Sequence, residues 1–254
     1  MDAHAYWLAA QSDLLYDKAP RQLDAYLYSL AFATVIRPVA LLPWPLFLTA
    51  WVGLEGAALV WLLKPLRARW SVPFFLLCVP ELVIGNVYVL LAAAAVVGLR
   101  WPAAWAFPIL TKITPGVGRL WFGARGDWRR LLQGAAATAA IVCLSYLAGP
   151  AQWHEWVAFL IDHGGGATDG FLGFGLRCLL AIALVVFGAR THRPWLIAPA
   201  MVFASPVLAL PTLALLAAIP RLLISADWAW NQSVSLRLTS QFKRLKGRRA
   251  PTGP

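Results

Sequence analysis

The stretch Ser71-Val72-Pro73-Phe74-Phe75-Leu76-Leu77-Cys78-Val79-Pro80-Glu81-Leu82-Val83-Ile84-Gly85-Asn86-Val87-Tyr88-Val89-Leu90-Leu91 stays apolar on to Gly98. One straight helix over residues 71–98 would measure about 42 Å at ~1.5 Å per residue, well beyond a hydrocarbon core of ~30 Å. Pro80, Glu81 and Gly85-Asn86 punctuate the run. Proline removes a helical hydrogen bond and clashes with the preceding turn, and glycine is at home just past a helix end. The run therefore reads as two shorter helices meeting at Glu81–Asn86. A polar joint at membrane depth is tolerated only where protein buries it or where it lines a cavity.

The same reading extends on both sides. Residues 102–123 are split likewise by Thr111-Lys112-Ile113-Thr114-Pro115-Gly116. Pro43-Trp44-Pro45 opens a first full span at about residues 45–63, closed by Lys64-Pro65-Leu66-Arg67. Further spans are expected at 131–148 and 171–189, separated by a polar loop at 149–170. Residues 194–224, carrying Pro206 and Pro211, read as a hairpin of short helices. Upstream, residues 27–42 are interrupted by Arg37-Pro38 and read as re-entrant or interfacial. Residues 3–16 read as a short helix lying on the membrane with Trp7, Leu8, Leu14 and Leu15 as its apolar side, ended by Asp17-Lys18-Ala19-Pro20.

Composition agrees with that layout. Of 254 residues, 60% are hydrophobic and 13% charged, with a mean hydropathy of +0.66. A soluble domain is nearer half apolar and a quarter charged. The expected fold class is all-α: a polytopic membrane helical bundle with short broken helices, an N-terminal interfacial helix and about six to eight spans. One membrane-embedded domain is expected over 1–238, with 1–38 extracytoplasmic or interfacial and 39–224 the bundle, followed by a basic, disordered cytoplasmic tail at 239–254. The net charge of +11 does not point to nucleic acid. Its basic residues fall between apolar runs at 64–69, 119–130, 190–193 and 243–249, where they orient loops to the cytoplasm and attract anionic membrane lipid. Cys78, Cys143 and Cys178 all sit in apolar runs without CxxC spacing, which argues against disulfides and metal. The polar, acidic N-terminus carries no cleavable signal peptide.

Placing the basic loops inside puts residues 1–40, both polar joints and the 149–170 loop on the opposite, extracytoplasmic face. Ionisable residues within apolar runs are functional hypotheses by default. Here they are Glu55, Glu81, Lys112 and Arg177. Lys112, beside Thr111 and Thr114, is suited to hold a phosphate as a point charge, or else snorkels to the interface. Glu81, with Asn86 nearby, suits a sugar hydroxyl or a structural pair with Lys112. Arg177 is a partner for a phosphate or for Glu81, and Glu55 reads first as the partner of a neighbouring basic residue. His154, Glu155 and His163 match no HExxH-type pattern, and Gly164-Gly165-Gly166 follows no strand, so neither a metal site nor a nucleotide loop is expected.

The order of these pieces resembles glycosyltransferase family 87, bacterial polyprenyl-phosphate-mannose-dependent mannosyltransferases of GT-C fold. The resemblance is carried by Asp2-Ala3-His4-Ala5-Tyr6-Trp7, Leu15-Tyr16, Tyr26-Leu27-Tyr28-Ser29, Arg37-Pro38, Leu42-Pro43-Trp44, Pro80-Glu81 with Gly85-Asn86, and Lys112-Ile113-Thr114-Pro115. These cover most of residues 2–130. The resemblance implies transfer of a hexose, mannose by family, from a polyprenyl-phosphate sugar donor to a lipid or glycan acceptor on the outer leaflet. It implies that Asp2 is the general base, and that His4, Tyr28, Glu81, Asn86, Lys112 and Arg177 hold substrate, without a cofactor or metal. Family members carry a transmembrane helix before the aspartate, so the chain reads as short of its first helix. Leu30 stands where proline is frequent, and Asn86 where glutamine is. Two readings of other classes remain: a transporter or flippase-like protein built on broken helices, against which no internal repeat is found, and a non-catalytic membrane protein.

Overall fold

A computed structural model describes residues 2–12, 15–20, 22–162 and 170–224, and among these every regular element is helical. The elements are α1 (Asp2–Ala9), α2 (Leu30–Ala40), α3 (Trp44–Leu63), α4 (Ala68–Leu77), α5 (Val79–Ile84), α6 (Tyr88–Arg100), α7 (Ala106–Lys112), α8 (Leu120–Ala124), α9 (Trp128–Ala148), α10 (Pro150–Asp162), α11 (Gly170–Arg190) and α12 (Ile197–Ala204). Short 3-10 segments join them at Pro102–Trp105, Thr114–Arg119, Pro194–Leu196 and Leu210–Ala218. The basic tail, His163, Gly164–Gly166 and Asp169 lie outside the described residues.

Among the described residues three helices are long and apolar enough to cross a bilayer: Trp44–Leu63, Trp128–Ala148 and Leu172–Arg190. The chain is a multi-pass membrane protein, and its described residues hold fewer full-length spans than the six to eight that hydropathy suggests. The difference lies in punctuation. The remaining apolar sequence is cut into pieces such as Leu30–Ala40, Tyr88–Arg100, Pro194–Ala204 and Leu210–Ile224. Leu144 and Leu147 on α9, and Leu176 and Leu179 on α11, face outward, as lipid-facing side chains do. The bundle's interior is built instead by α6, α12 and the Leu210–Ala218 segment, through Leu91, Ala92, Ala95, Ala198, Met201 and Leu215.

The 71–98 run breaks where the residues require it, into α4, α5 and α6. Cys78 is the hinge between α4 and α5, and α5 ends at Gly85 in a left-handed conformation, φ 69°. Trp51 on α3 donates its indole N–H to Gly85 O at 3.0 Å, and the Asn86 side chain accepts from Val87 N at 2.7 Å. A Cβ built on Gly85 would lie 2.6 Å from Ala3 Cβ, so α1 seats against this turn because glycine leaves room there.

Two expectations are refined. The N-terminal helix is shorter than residues 3–16, limited to Asp2–Ala9, and packs against α2 and α3. Its Ala3, Ala5, Tyr6 and Ala9 are buried, since small alanines let the backbone approach while Tyr6 fills the gap. Trp7 donates to Leu42 O at 2.9 Å and Gln11 to Ala40 O at 2.9 Å, pinning the segment from its polar side. Leu14 lies outside the described residues. The expected 149–170 loop is helical over Pro150–Asp162, because Trp153, Trp156 and Phe159 recur along one face and bury it. Trp153 donates to Ser145 Oγ at 3.2 Å and Trp156 to Leu27 O at 3.4 Å.

A candidate active site beneath the N-terminal helix

The site is walled by rings. Tyr6 packs edge-on against Tyr28, Phe32 and Trp51 at centroid distances of 5.1, 5.2 and 5.3 Å. Such edge-to-face contacts add to plain burial because ring edges are positive and faces negative. The Tyr6 hydroxyl donates to the Tyr28 hydroxyl at 2.9 Å. Burial pushes the Tyr28 hydroxyl up to about 12. Both phenols are therefore neutral hydrogen-bonding groups at physiological pH. The Ser29 hydroxyl donates to Leu110 O, fastening this tyrosine segment to α7 two residues before Lys112.

Lys112 ends α7. Its Nζ lies 4.2 Å from the centroid of the Tyr88 ring and 5.3 Å from that of Tyr28. An ammonium over ring faces is stabilised by their quadrupoles. The next residue, Ile113, has φ 48° and ψ −69°, a conformation that a β-branched residue adopts only under constraint. The strain is local to the turn that aims the lysine.

Asp2 stands one helical turn before Tyr6. Burial raises its carboxyl above the ordinary aspartate range, and the positive charge of Lys112 pulls it back down. Glu81 is fully buried, accepts from Tyr88 N at 2.7 Å through Oε1, and feels the charges of Lys112 and Asp2. The structure thus brings Asp2, Tyr28, Glu81 and Lys112 into one electrostatic cluster. Asn86 borders it in the turn between α5 and α6, with its Oδ1 taken by Val87 N.

Three other side chains are placed differently from their sequence reading. His4 turns to a separate face, pairing through Nδ1 with Asp24 Oδ2 at 3.0 Å and lying against Trp7 and Trp44. Arg177 is bonded to the carbonyls of Phe203, Ser205 and Pro206 at 3.1, 2.7 and 3.3 Å, where it clamps the C-terminal end of α12. Glu55 has no basic partner: it is fully buried in α3 with neither carboxyl oxygen hydrogen-bonded among the described residues. His154 bonds Pro150 O at 2.7 Å within its own helix. A cavity of about 250 Å³ opens beside α1, lined by Ala5, Leu8, Ala9, Lys18, Asp24 and Tyr26 among others, but not by Asp2 or Lys112.

Sequence reasoning passed over Tyr6 and Tyr88, which complete the wall. Tyr6 was legible as the i+4 neighbour of Asp2 on a helix. Tyr88 carried no signal beyond following Gly85-Asn86, since only the fold turns it under Lys112. Chemically, the arrangement offers a carboxylate able to take a proton, a cation placed to meet an anion, and neutral phenols between them.

Compared with known proteins, residues 26–239 match the family model described as glycosyltransferase family 87. No curated protein and no solved structure matches the chain.

Proposed function

Because this chain belongs to glycosyltransferase family 87, we propose that it transfers a hexose, mannose first among candidates, from a polyprenyl-phosphate sugar to a lipid or glycan acceptor on the extracytoplasmic face of the membrane. The observation that carries the proposal is Lys112 seated on the rings of Tyr28 and Tyr88, with Tyr28 bonded to Tyr6 one helical turn from Asp2. The transporter reading raised by the broken helices gives way to family membership.

The two charges divide the reaction. Asp2 accepts the proton of the acceptor hydroxyl as that oxygen bonds to the anomeric carbon. The bond from that carbon to the phosphate oxygen breaks, and its electron pair leaves with the lipid phosphate. Lys112 offsets the charge that develops there, a contribution that grows in a site shielded from water. Tyr28 and Glu81 hold Lys112 in place and offer hydrogen-bond partners to sugar hydroxyls, while Asn86 sets the turn beneath them. His4, backed by Asp24 and flanked by Trp7 and Trp44, offers an aromatic platform of the kind that suits an incoming acceptor sugar.

The test is transfer of radiolabelled mannose from polyprenyl-phosphate mannose in membranes carrying the full-length gene product. Transfer that exceeds empty membranes and disappears with Asp2→Asn supports the proposal. Full transfer by Asp2→Asn refutes the base assignment, and no transfer with any polyprenyl-phosphate hexose refutes the donor class.

A further inference from the structure

Tyr6 is fully buried on α1. The rings packed edge-on around it are Tyr28, Phe32 and Trp51. Phe32 offers no oxygen, and the Trp51 indole only donates and is committed to Gly85 O. The Tyr28 hydroxyl, at 2.9 Å, is the one hydrogen-bond partner of the Tyr6 hydroxyl among the described residues. A buried O–H without an acceptor is costly. The direction of the bond is therefore fixed: Tyr6 donates and Tyr28 accepts.

That direction decides where the second hydrogen goes. A phenol carries one O–H and two lone pairs. Tyr28 has given a lone pair to Tyr6, so its own hydrogen points elsewhere. The side chain has little freedom to re-aim it, being only 5% exposed. Its backbone carbonyl accepts from the Tyr16 hydroxyl at 2.9 Å, and the next residue, Ser29, is bonded to Leu110 O on α7. Among the described residues no hydrogen bond takes up the Tyr28 hydrogen. Asp2 acts on Tyr28 through charge alone. Lys112, with Nζ 5.3 Å from the centre of the Tyr28 ring, has donors only and cannot take it. A neutral donor and a charged one thus stand together. A phosphate suits the pair, because it carries several acceptor oxygens and its charge strengthens a bond from a phenol. A sugar hydroxyl suits it less, being neutral.

We propose that Tyr28 donates its hydroxyl hydrogen to the phosphate of the lipid donor beside Lys112, and that Tyr6 is the positioning residue that sets this direction. The bond strengthens as the link from the anomeric carbon to the phosphate oxygen breaks and charge gathers on that oxygen. Tyr28 keeps its proton throughout, and the proton of the acceptor hydroxyl still goes to Asp2. The phosphate rests on the function proposed above; the direction of the tyrosine pair does not.

The experiment places fluorotyrosines of rising acidity at position 28 of the purified full-length protein in proteoliposomes, at a pH where each stays neutral. A more acidic phenol is a stronger donor, so kcat for mannosyl transfer should rise along the series. A flat series overturns the proposal. Tyr6→Phe keeps the ring and removes the hydroxyl; it should lower kcat by about 2–10-fold and flatten the series. A series unchanged by Tyr6→Phe overturns the positioning role. Tyr28→Phe should lower kcat by about 10–10²-fold, the weight of a hydrogen bond to a charged group, and change the donor KM less. Should Tyr28→Phe fail to fold, the fluorotyrosines decide, since they keep both ring and hydroxyl. Fluorine NMR supplies a reading that needs no turnover. The signal from position 28 should shift with added undecaprenyl phosphate and stay put with undecaprenol. A signal indifferent to the phosphate overturns the contact. Should the wild type transfer no sugar, the function fails, while the fluorine signal still decides whether Tyr28 meets a phosphate.

Discussion

Lys112 and Arg177 carry the same charge within apolar sequence, and the structure uses them in opposite ways. Arg177 faces three backbone carbonyls at the frayed end of α12 and binds all of them. Its planar fork of donors suits that task, since helix ends leave carbonyls unsatisfied and lipid supplies no water to satisfy them. Lys112 instead rests on two tyrosine faces and shares its field with Asp2 and Glu81. Three carbonyls commit the donors of Arg177, whereas Lys112 is held chiefly by ring faces and neighbouring charge.

The sharpest way to break this contrast is at the base. Asp2→Asn should lower transfer by about 10²–10⁴-fold, the usual weight of general-base assistance, with insertion unchanged by membrane extraction. Next comes Lys112→Met, expected to cost about 10²–10³-fold in kcat, the scale of one electrostatic contact to developing charge. That variant also carries a pH signature. The base works only when ionised, so transfer falls as pH drops through the Asp2 pKa, which burial has raised. Removing Lys112 removes a charge that lowers this pKa, so the acid limb of the kcat/KM profile should move to higher pH. An unmoved limb would separate Lys112 from the base.

Arg177→Met should leave transfer per folded molecule unchanged and destabilise the bundle by about 1–3 kcal/mol, the cost of stranding buried carbonyls, as read by thermal unfolding in detergent. Loss of transfer with unchanged stability would return Arg177 to the donor phosphate and erase the contrast. The smallest effect is expected at Ile113→Gly, where relief of backbone strain and added chain entropy nearly cancel, leaving a stability change within about 1 kcal/mol. Transfer should still fall a few-fold, as the lysine loses its fixed aim.

The broken helices were legible because proline and glycine act locally: Pro80, Gly85 and Pro115 sit at or beside the breaks that form. Lys112 and Glu81 were legible because charge is conspicuous in apolar sequence. Their partners were not. Tyr88 is an ordinary aromatic until α6 packs against α7, and Glu55 reads as one half of an ion pair until no cation is found beside it among the described residues. The buried face of the N-terminal helix was illegible for a similar reason. Trp7 and Leu8 mark an apolar side, whereas the burial of Ala3 depends on a notch that Gly85, far along the chain, creates. The carbonyls that Arg177 binds were illegible too, because only the fold brings the end of α12 to it.

That notch has a consequence for how variants will be classified. The helix bearing Asp2 is seated by contact between Ala3 and a residue that has no side chain. Adding a methyl group at Gly85 therefore moves the base without touching it. In kinetic terms positions 2 and 85 form one locus: an assay would register Gly85→Ala as a catalytic lesion, although it changes no group that touches substrate.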